Sequence, residues 1–144
     1  TPPSGDMEGT FKRFEGLPVR HVDNRNTMKT YYNAADVFWS PTRADNCPMA
    51  ILESMACGTP VLAAEVGGVP EILDQGRAGF LIPPNDAGAL CRTTEQLLQQ
   101  PEELSRAGRA GLDRVRRHYT EEMLLKQHID LYAECIQSEN QAQG

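Results

Sequence analysis

The chain has 144 residues, 40% hydrophobic and 24% charged, enough for one folded domain with a real core. Its net charge of −6 argues against nucleic acid as a partner, since phosphate binding draws on Lys and Arg, and against adhesion to anionic lipid. No apolar run approaches the roughly 20 residues of a membrane span, and no signal-peptide pattern opens the chain. Cys47, Cys57, Cys91 and Cys135 show neither a CxxC pair nor metal-ligand spacing, which fits a reducing cytoplasm, with three of them in apolar helical surroundings. His21, His118 and His128 fall in different elements, and structural roles are favoured for each.

The opening "TPPSGDMEG" lacks an initiating methionine and reads as a processed product or a piece of something longer. Residues 7–16 read as a short amphipathic helix stopped at Gly16, and "LPVRHVD" as a strand. "NRNTMKTYYNAA" follows as a helix capped near Asn26 or Thr27. "DVFWS" is a nearly continuous apolar run, the pattern of a strand buried on both faces, ended by Pro41.

"PVLAA" (60–64) is a second buried-strand run, "GGVPEILD" a glycine turn with a short helix, and "AGFLIPP" a strand cut off by prolines. Three helices then follow at 86–100, at 101–117 opening on Pro101, and at 120–137 opening on Thr120. Arg106, Arg109, Arg114, Arg116 and Arg117 crowd the second of these and read as a solvated face between glutamates. Residues 138–144 form a polar tail expected to fray. Strands alternating with helices predict an α/β fold, a Rossmann-like parallel sheet with helices on both faces and a helical C-terminal extension.

The stretch "RADNCPMAILESMACGTPVLAAE" (43–65) carries the chemistry. It leads from a strand into a helix at Pro48, with Asn46 or Cys47 as the expected N-cap and Gly58 as a left-handed stop. Ligands of open parallel sheets bind where strands end and helices begin, and the free N–H groups there suit phosphate or an oxygen-rich sugar. Ile51, Leu52, Met55 and Ala56 mark the buried stripe, which leaves Glu53 at its edge and Asp45 just outside the helix start. A carboxylate so placed can accept two hydrogen bonds from a ribose 2′,3′-diol. On pattern alone a second reading stands beside this one: Asp45 as a favourable charge at a helix start and Glu53 as a solvated helix residue.

The run "YYNAADVFWSPTRADNCPMAILESMACGTPVLAAEVGGVPEILDQGRAGFLIPPND" resembles the donor-binding, C-terminal lobe of the retaining, family-four glycosyltransferases of the two-lobed GT-B fold. The likeness covers nearly all of residues 19–136, through the "ADV" strand, an acid-x7-Glu element, "ESMACGTPV", "GGVPE" and "GFLIPPND". It implies a donor-binding lobe over residues 1–137, incomplete at its N-terminus. It also implies an enzyme of the hexosyltransferase type, with carbohydrate biosynthesis as its setting. The reaction would pass a glycosyl group from a nucleoside diphosphate sugar to an acceptor hydroxyl, with retention.

By the same resemblance Glu53 holds the ribose, and Asp45 contacts the transferred sugar as the catalytic-site acid. Asn46, Cys47, Pro48 and Met49 help to bind the sugar and diphosphate. No cofactor and no obligatory metal is implied. Asp45 stands where the commonest family pattern has Glu, and "NCP" stands in place of an aromatic–glycine pair.

Gly67 and Gly68 would let their loop pass close to the ligand or to another lobe, and an ordinary tight turn explains them equally well. Arg43 lies within reach of a phosphate, but a solvated loop arginine is favoured. The acceptor-binding lobe and the upstream basic pair that grips the diphosphate in this family are missing from the chain. A separate chain is one possible source of that lobe. The apolar stripe Met123, Leu124, Leu131 and Ile136 in the last helix raises self-association as a further partner expectation. Three other classes stay open: a non-catalytic nucleotide-sugar binding fragment, another GT-B enzyme such as an inverting transferase or sugar-nucleotide epimerase, and a plain structural fragment. The last leaves Asp45 and Glu53 together unexplained.

Overall fold

In chain order the elements are α1 (Met28–Ala34), β1 (Phe38–Ser40), α2 (Met49–Ala56), β2 (Val61–Ala64), α3 (Val69–Ile72), β3 (Phe80–Ile82), α4 (Ala87–Leu98), α5 (Pro101–His118) and α6 (Glu121–Ala142). The computed structural model describes residues 27–142, with side chains through residue 138. The expected helix at 7–16, the strand at 17–23, His21 and the alternative cap Asn26 lie outside the described residues.

The three strands form a parallel sheet in the order β1-β2-β3, with Phe38 opposite Val61 and Leu62 opposite Phe80. β2 is central and all four of its residues are buried. Because strand side chains alternate between faces, Val61 and Ala63 pack with Ile51, Met55, Val69, Ile72 and Leu73 of α2, α3 and the residue that follows. Leu62 faces the other way, into Ile82, Ala89, Leu97 and Leu104. Helices therefore cover both faces, and the fold is the Rossmann-like lobe expected.

β1 departs from expectation. It is not buried on both faces: Trp39 is 47% exposed. Among the described residues β1 pairs with β2 alone, and Trp39 shares the face of Leu62, whose cover comes from α4 and the start of α5 on the β3 side.

Several boundaries follow from capping chemistry. Gly58, at φ +77°, ends α2 in a Schellman turn, its N–H donating to Met55 O at 2.9 Å and that of Thr59 to Ser54 O at 3.1 Å. Asp86 caps α4 by accepting from the Ala89 amide at 2.8 Å. Thr120 caps α6, its hydroxyl accepting from the Met123 amide at 3.3 Å. Thr27 is the N-cap position of α1, without a side-chain capping bond.

Other expectations are corrected. The N-cap of α2 is Pro48, neither Asn46 nor Cys47, and the helix begins at Met49. Its buried residues are Ile51, Ser54 and Met55, with Leu52 half-buried and Ala56 exposed. Ser54 tolerates burial because its hydroxyl donates to Thr59 O at 3.3 Å. Cys91 and Cys135 are exposed rather than held in apolar surroundings, and Cys47 is exposed in its loop.

α6 continues to Ala142 instead of fraying after residue 137, since Glu and Gln are good helix formers and no Gly or Pro interrupts them. Arg114 is not part of a solvated face. Only 19% of its side chain is exposed, and it donates to Ile72 O at 2.8 Å and Glu71 O at 2.6 Å, closing the C-terminal end of α3. On α6, Leu124, Leu131 and Ile136 are exposed as expected, joined by Leu125, Ile129 and Tyr132, whereas Met123 is half-buried.

α5 packs on α2 through small residues: Ala107, Gly108 and Gly111 are buried, and a Cβ on Gly108 would collide with the carbonyl of Gly58. Alanine is the better helix former by about 1 kcal/mol at an open helix position, so propensity alone favours Gly108→Ala. Steric overlap with rigid backbone should win. Urea unfolding of Gly108→Ala is expected to show a loss of about 1–3 kcal/mol; a gain in stability would show that α5 and α2 can part freely.

Candidate functional site

The loop between β1 and α2 is organised by its own polar groups. The Asp45 carboxylate Oδ1 accepts from the Cys47 amide at 3.1 Å, an Asx-type turn that sets the approach to the helix. The Asp45 carbonyl accepts from the Gly68 amide at 3.3 Å. Gly67 sits at φ +50°, and side chains there and at Gly68 would strike the carbonyls of Asp45 and Asn46. The close approach that the glycine pair permits is thus to this chain's own loop.

α2 presents its first amides without a side-chain cap, because Pro48 has none to offer. The first N–H groups of a helix have no partner within it, so those of Met49 and Ala50 point outward as donors. Pro48 is buried and lacks an N–H, and the Cys47 amide is engaged by Asp45.

Glu53 lies one turn further along, on the side of α2 that faces α1. Its Oε2 accepts from the hydroxyl of Tyr32 at 3.0 Å, a contact spanning 21 residues of sequence. An open groove of about 850 Å³, well within the range of small-molecule sites, runs between the two helices. Met28, Lys29 and Tyr32 line one wall, and Met49, Ala50, Glu53, Ala56 and Cys57 the other. Burial pushes the Tyr32 phenol up to about 12, helped by the hydrogen bond to Glu53, the Glu53 charge and, least, Cys57. The phenol therefore stays a proton donor to Glu53 throughout the neutral range.

Of the six site residues expected, Met49 and Glu53 meet in this groove. Met49, 62% exposed, also borders a second groove with Cys47 and Leu52, whose other wall includes His118, Tyr119 and Leu124. Asp45, Asn46 and Pro48 line neither groove; they shape the loop between them. Arg43 is exposed and borders a separate hollow at the ends of β2 and β3 with Ala64, Ile82 and Asp86. Among the described residues no three His, Cys, Asp or Glu side chains come together as a metal site would require.

Sequence reading missed Met28, Lys29 and Tyr32. The only local signal was an aromatic residue in a short helix, which reads as core.

The Tyr32 shift fixes the direction of a pH effect. An unfolded tyrosine loses its proton near 10.0 and folded Tyr32 near about 12, so between these values the folded state binds more protons. Stability is level with respect to this group below pH 10 and falls as pH rises through the window. Unfolding midpoints measured at stepped pH should show that decline in the wild type and a shallower one in Tyr32→Phe.

Comparison with known proteins bears on the family and the fold. Residues 4–100 match the family described as Glycosyl transferases group 1. The chain is 30% identical over 112 residues to the D-inositol 3-phosphate glycosyltransferase of Streptomyces bingchenggensis, covering 78% of this chain and 24% of that protein. It is 30% identical over 120 residues to the alpha-maltose-1-phosphate synthase of Mycolicibacterium smegmatis, covering 79% and 31%. The chain thus spans about a quarter to a third of these relatives' length.

Among solved structures, the sucrose-phosphate synthase of Thermosynechococcus elongatus superposes with a TM-score of 0.78 at 29% identity, over 92% of this chain and 34% of that one. Anabaena Alr3699/HepE, solved in complex with UDP, gives 0.80 at 18% identity, over 90% and 36%. With a Rossmann-like lobe as in GT-B glycosyltransferases and a family match across most of its length, the chain belongs to the group 1 glycosyl transferases.

Proposed function

We propose that this chain is the donor-binding lobe of a glycosyltransferase that binds a nucleoside diphosphate sugar and passes its glycosyl group to an acceptor hydroxyl with retention. The observation that carries the reading is Glu53, held at the wall of the groove between α1 and α2, on a helix whose first amides are uncapped. Glu53 accepts hydrogen bonds from the ribose diol. The amides of Met49 and Ala50 face the diphosphate. Asp45, with one carboxylate oxygen engaged by the Cys47 amide, offers the other to the transferred sugar. Cys47, its amide engaged by Asp45, and Pro48, which lacks an N–H, fix the path of the loop beside Asn46.

Charge on the leaving diphosphate is stabilised by helix amides and basic side chains, Lys29 being the one in this groove, with no metal required. The acceptor site lies on a second lobe or a partner chain. That the Anabaena neighbour is solved with UDP and with UDP-glucose supports a nucleotide sugar as the ligand.

Calorimetric titration of the chain with UDP, GDP and their sugar conjugates tests the reading. Saturable binding of one base series is expected, weakened at least tenfold in Glu53→Ala, the scale of one to two hydrogen bonds to a charged group at about 1.5–3 kcal/mol each. Equal binding by wild type and variant, or none by either, would overturn it. Turnover with an added acceptor lobe then separates an enzyme from a non-catalytic binding fragment.

A further inference from the structure

Glu53 is an exposed side chain, and a glutamate on an open helix face samples many rotamers. Tyr32, its partner, is the opposite: it is 5% exposed and anchored from several sides. Its ring meets Phe38 edge-on, with centroids 5.5 Å apart at 80°. Its carbonyl accepts from the buried Thr59 hydroxyl at 2.7 Å and from the Ala35 amide at 3.1 Å. Phe38 belongs to β1 and Thr59 follows the Gly58 stop of α2, so the phenol is fixed relative to both the sheet and the helix that bears Glu53.

We propose that Tyr32 is a positioning residue that holds Glu53 in the orientation needed to grip a ribose diol, making the groove selective for ribonucleotides. The proposal rests on the ribose role of Glu53 given above. With Oε2 accepting the hydrogen bond from the phenol, Oε1 and the spare lone pair of Oε2 remain for the two adjacent hydroxyls, since an ionised carboxylate has about four acceptor sites. Immobilising the carboxylate beforehand removes an ordering cost from binding. A ligand without the diol gains nothing from this arrangement.

Tyr32→Phe deletes one oxygen and keeps the ring contact with Phe38 and the backbone bond from Thr59, and a thermal melt checks that it folds. Dissociation constants are measured for UDP and GDP and for their 2′,3′-dideoxy counterparts, on wild type, Tyr32→Phe and Glu53→Ala. The expected wild type prefers the ribonucleotide of its base series by tenfold or more. In Tyr32→Phe that preference should fall about three- to tenfold, the scale of one typical net hydrogen bond, with dideoxy binding unchanged. In Glu53→Ala it should vanish.

If Glu53→Ala loses the preference and Tyr32→Phe keeps it, the positioning role is overturned while the ribose role stands. Equal weakening of ribo and dideoxy ligands in Tyr32→Phe, or a variant that does not fold, would show a merely structural tyrosine and overturn it too. A preference untouched by either variant overturns the ribose role and the positioning role together.

Discussion

The carbonyl of Gly58 lies against Gly108 of α5, and the carbonyls of Asp45 and Asn46 lie against Gly67 and Gly68. These two backbone-to-backbone contacts hold α2 at its two ends. Between them Ile51 and Met55 are fully buried against Val61 and Ala63 of β2, so the helix has little freedom to slide or roll. Each contact exists because a Cβ is missing at the point of approach. A close-packed interior leaves no other way to bring carbonyls this near to a neighbouring backbone. The backbone placement of the loop and α2 residues in the candidate site, from Asp45 to Glu53, follows from that clamp.

Much of this was legible in advance, and the parts that were not share a cause. Period and punctuation are local: the run "VLAA" at β2, Gly58 at a helix end, Pro101 and Thr120 at helix starts each act within a few residues. Asp45 and Glu53 were visible as acids flanking a helix start at the mouth of a parallel sheet. What escaped depends on partners that a local pattern does not name. Ser54 replaces Ala56 in the buried stripe, its hydroxyl satisfied by the Thr59 carbonyl beyond the helix end. Trp39 is exposed because of how α4 and α5 distribute themselves over the sheet. Arg114 looks like one more surface arginine until α3 ends within its reach, 42 residues away.

Tyr32 is the most instructive of these. A tyrosine in an amphipathic helix is core by default, and its ring is indeed core, packed on Phe38. Its hydroxyl meets Glu53 at the groove that Tyr32 helps to line. An aromatic residue with a polar tip can thus serve packing and site at once. Composition and spacing register the packing half alone.

Asp45 and Glu53 are oriented by different means, and the difference matters to what each can do in the proposed arrangement. Asp45 is held through the backbone of its own turn, by the Cys47 amide, and stays on the loop. Glu53 is held by a side chain from another helix and stays on the groove wall. Between them lie the uncapped first amides of α2, with Glu53 four residues, roughly 6 Å along the axis, beyond Met49. A nucleoside diphosphate sugar has the same order of parts: a diol-bearing ribose, a doubly charged bridge, a polyhydroxylated sugar. The bridge carries negative charge into a chain that is already net negative, so its stabilisation has to be local. Helix amides provide that without adding a formal charge, and Lys29 is the cation nearest to hand in the groove wall. Two acids near a polyanionic ligand would repel it if they faced the phosphates. In the proposed arrangement they stand at either end of the bridge, where each would meet hydroxyl donors that a carboxylate accepts strongly.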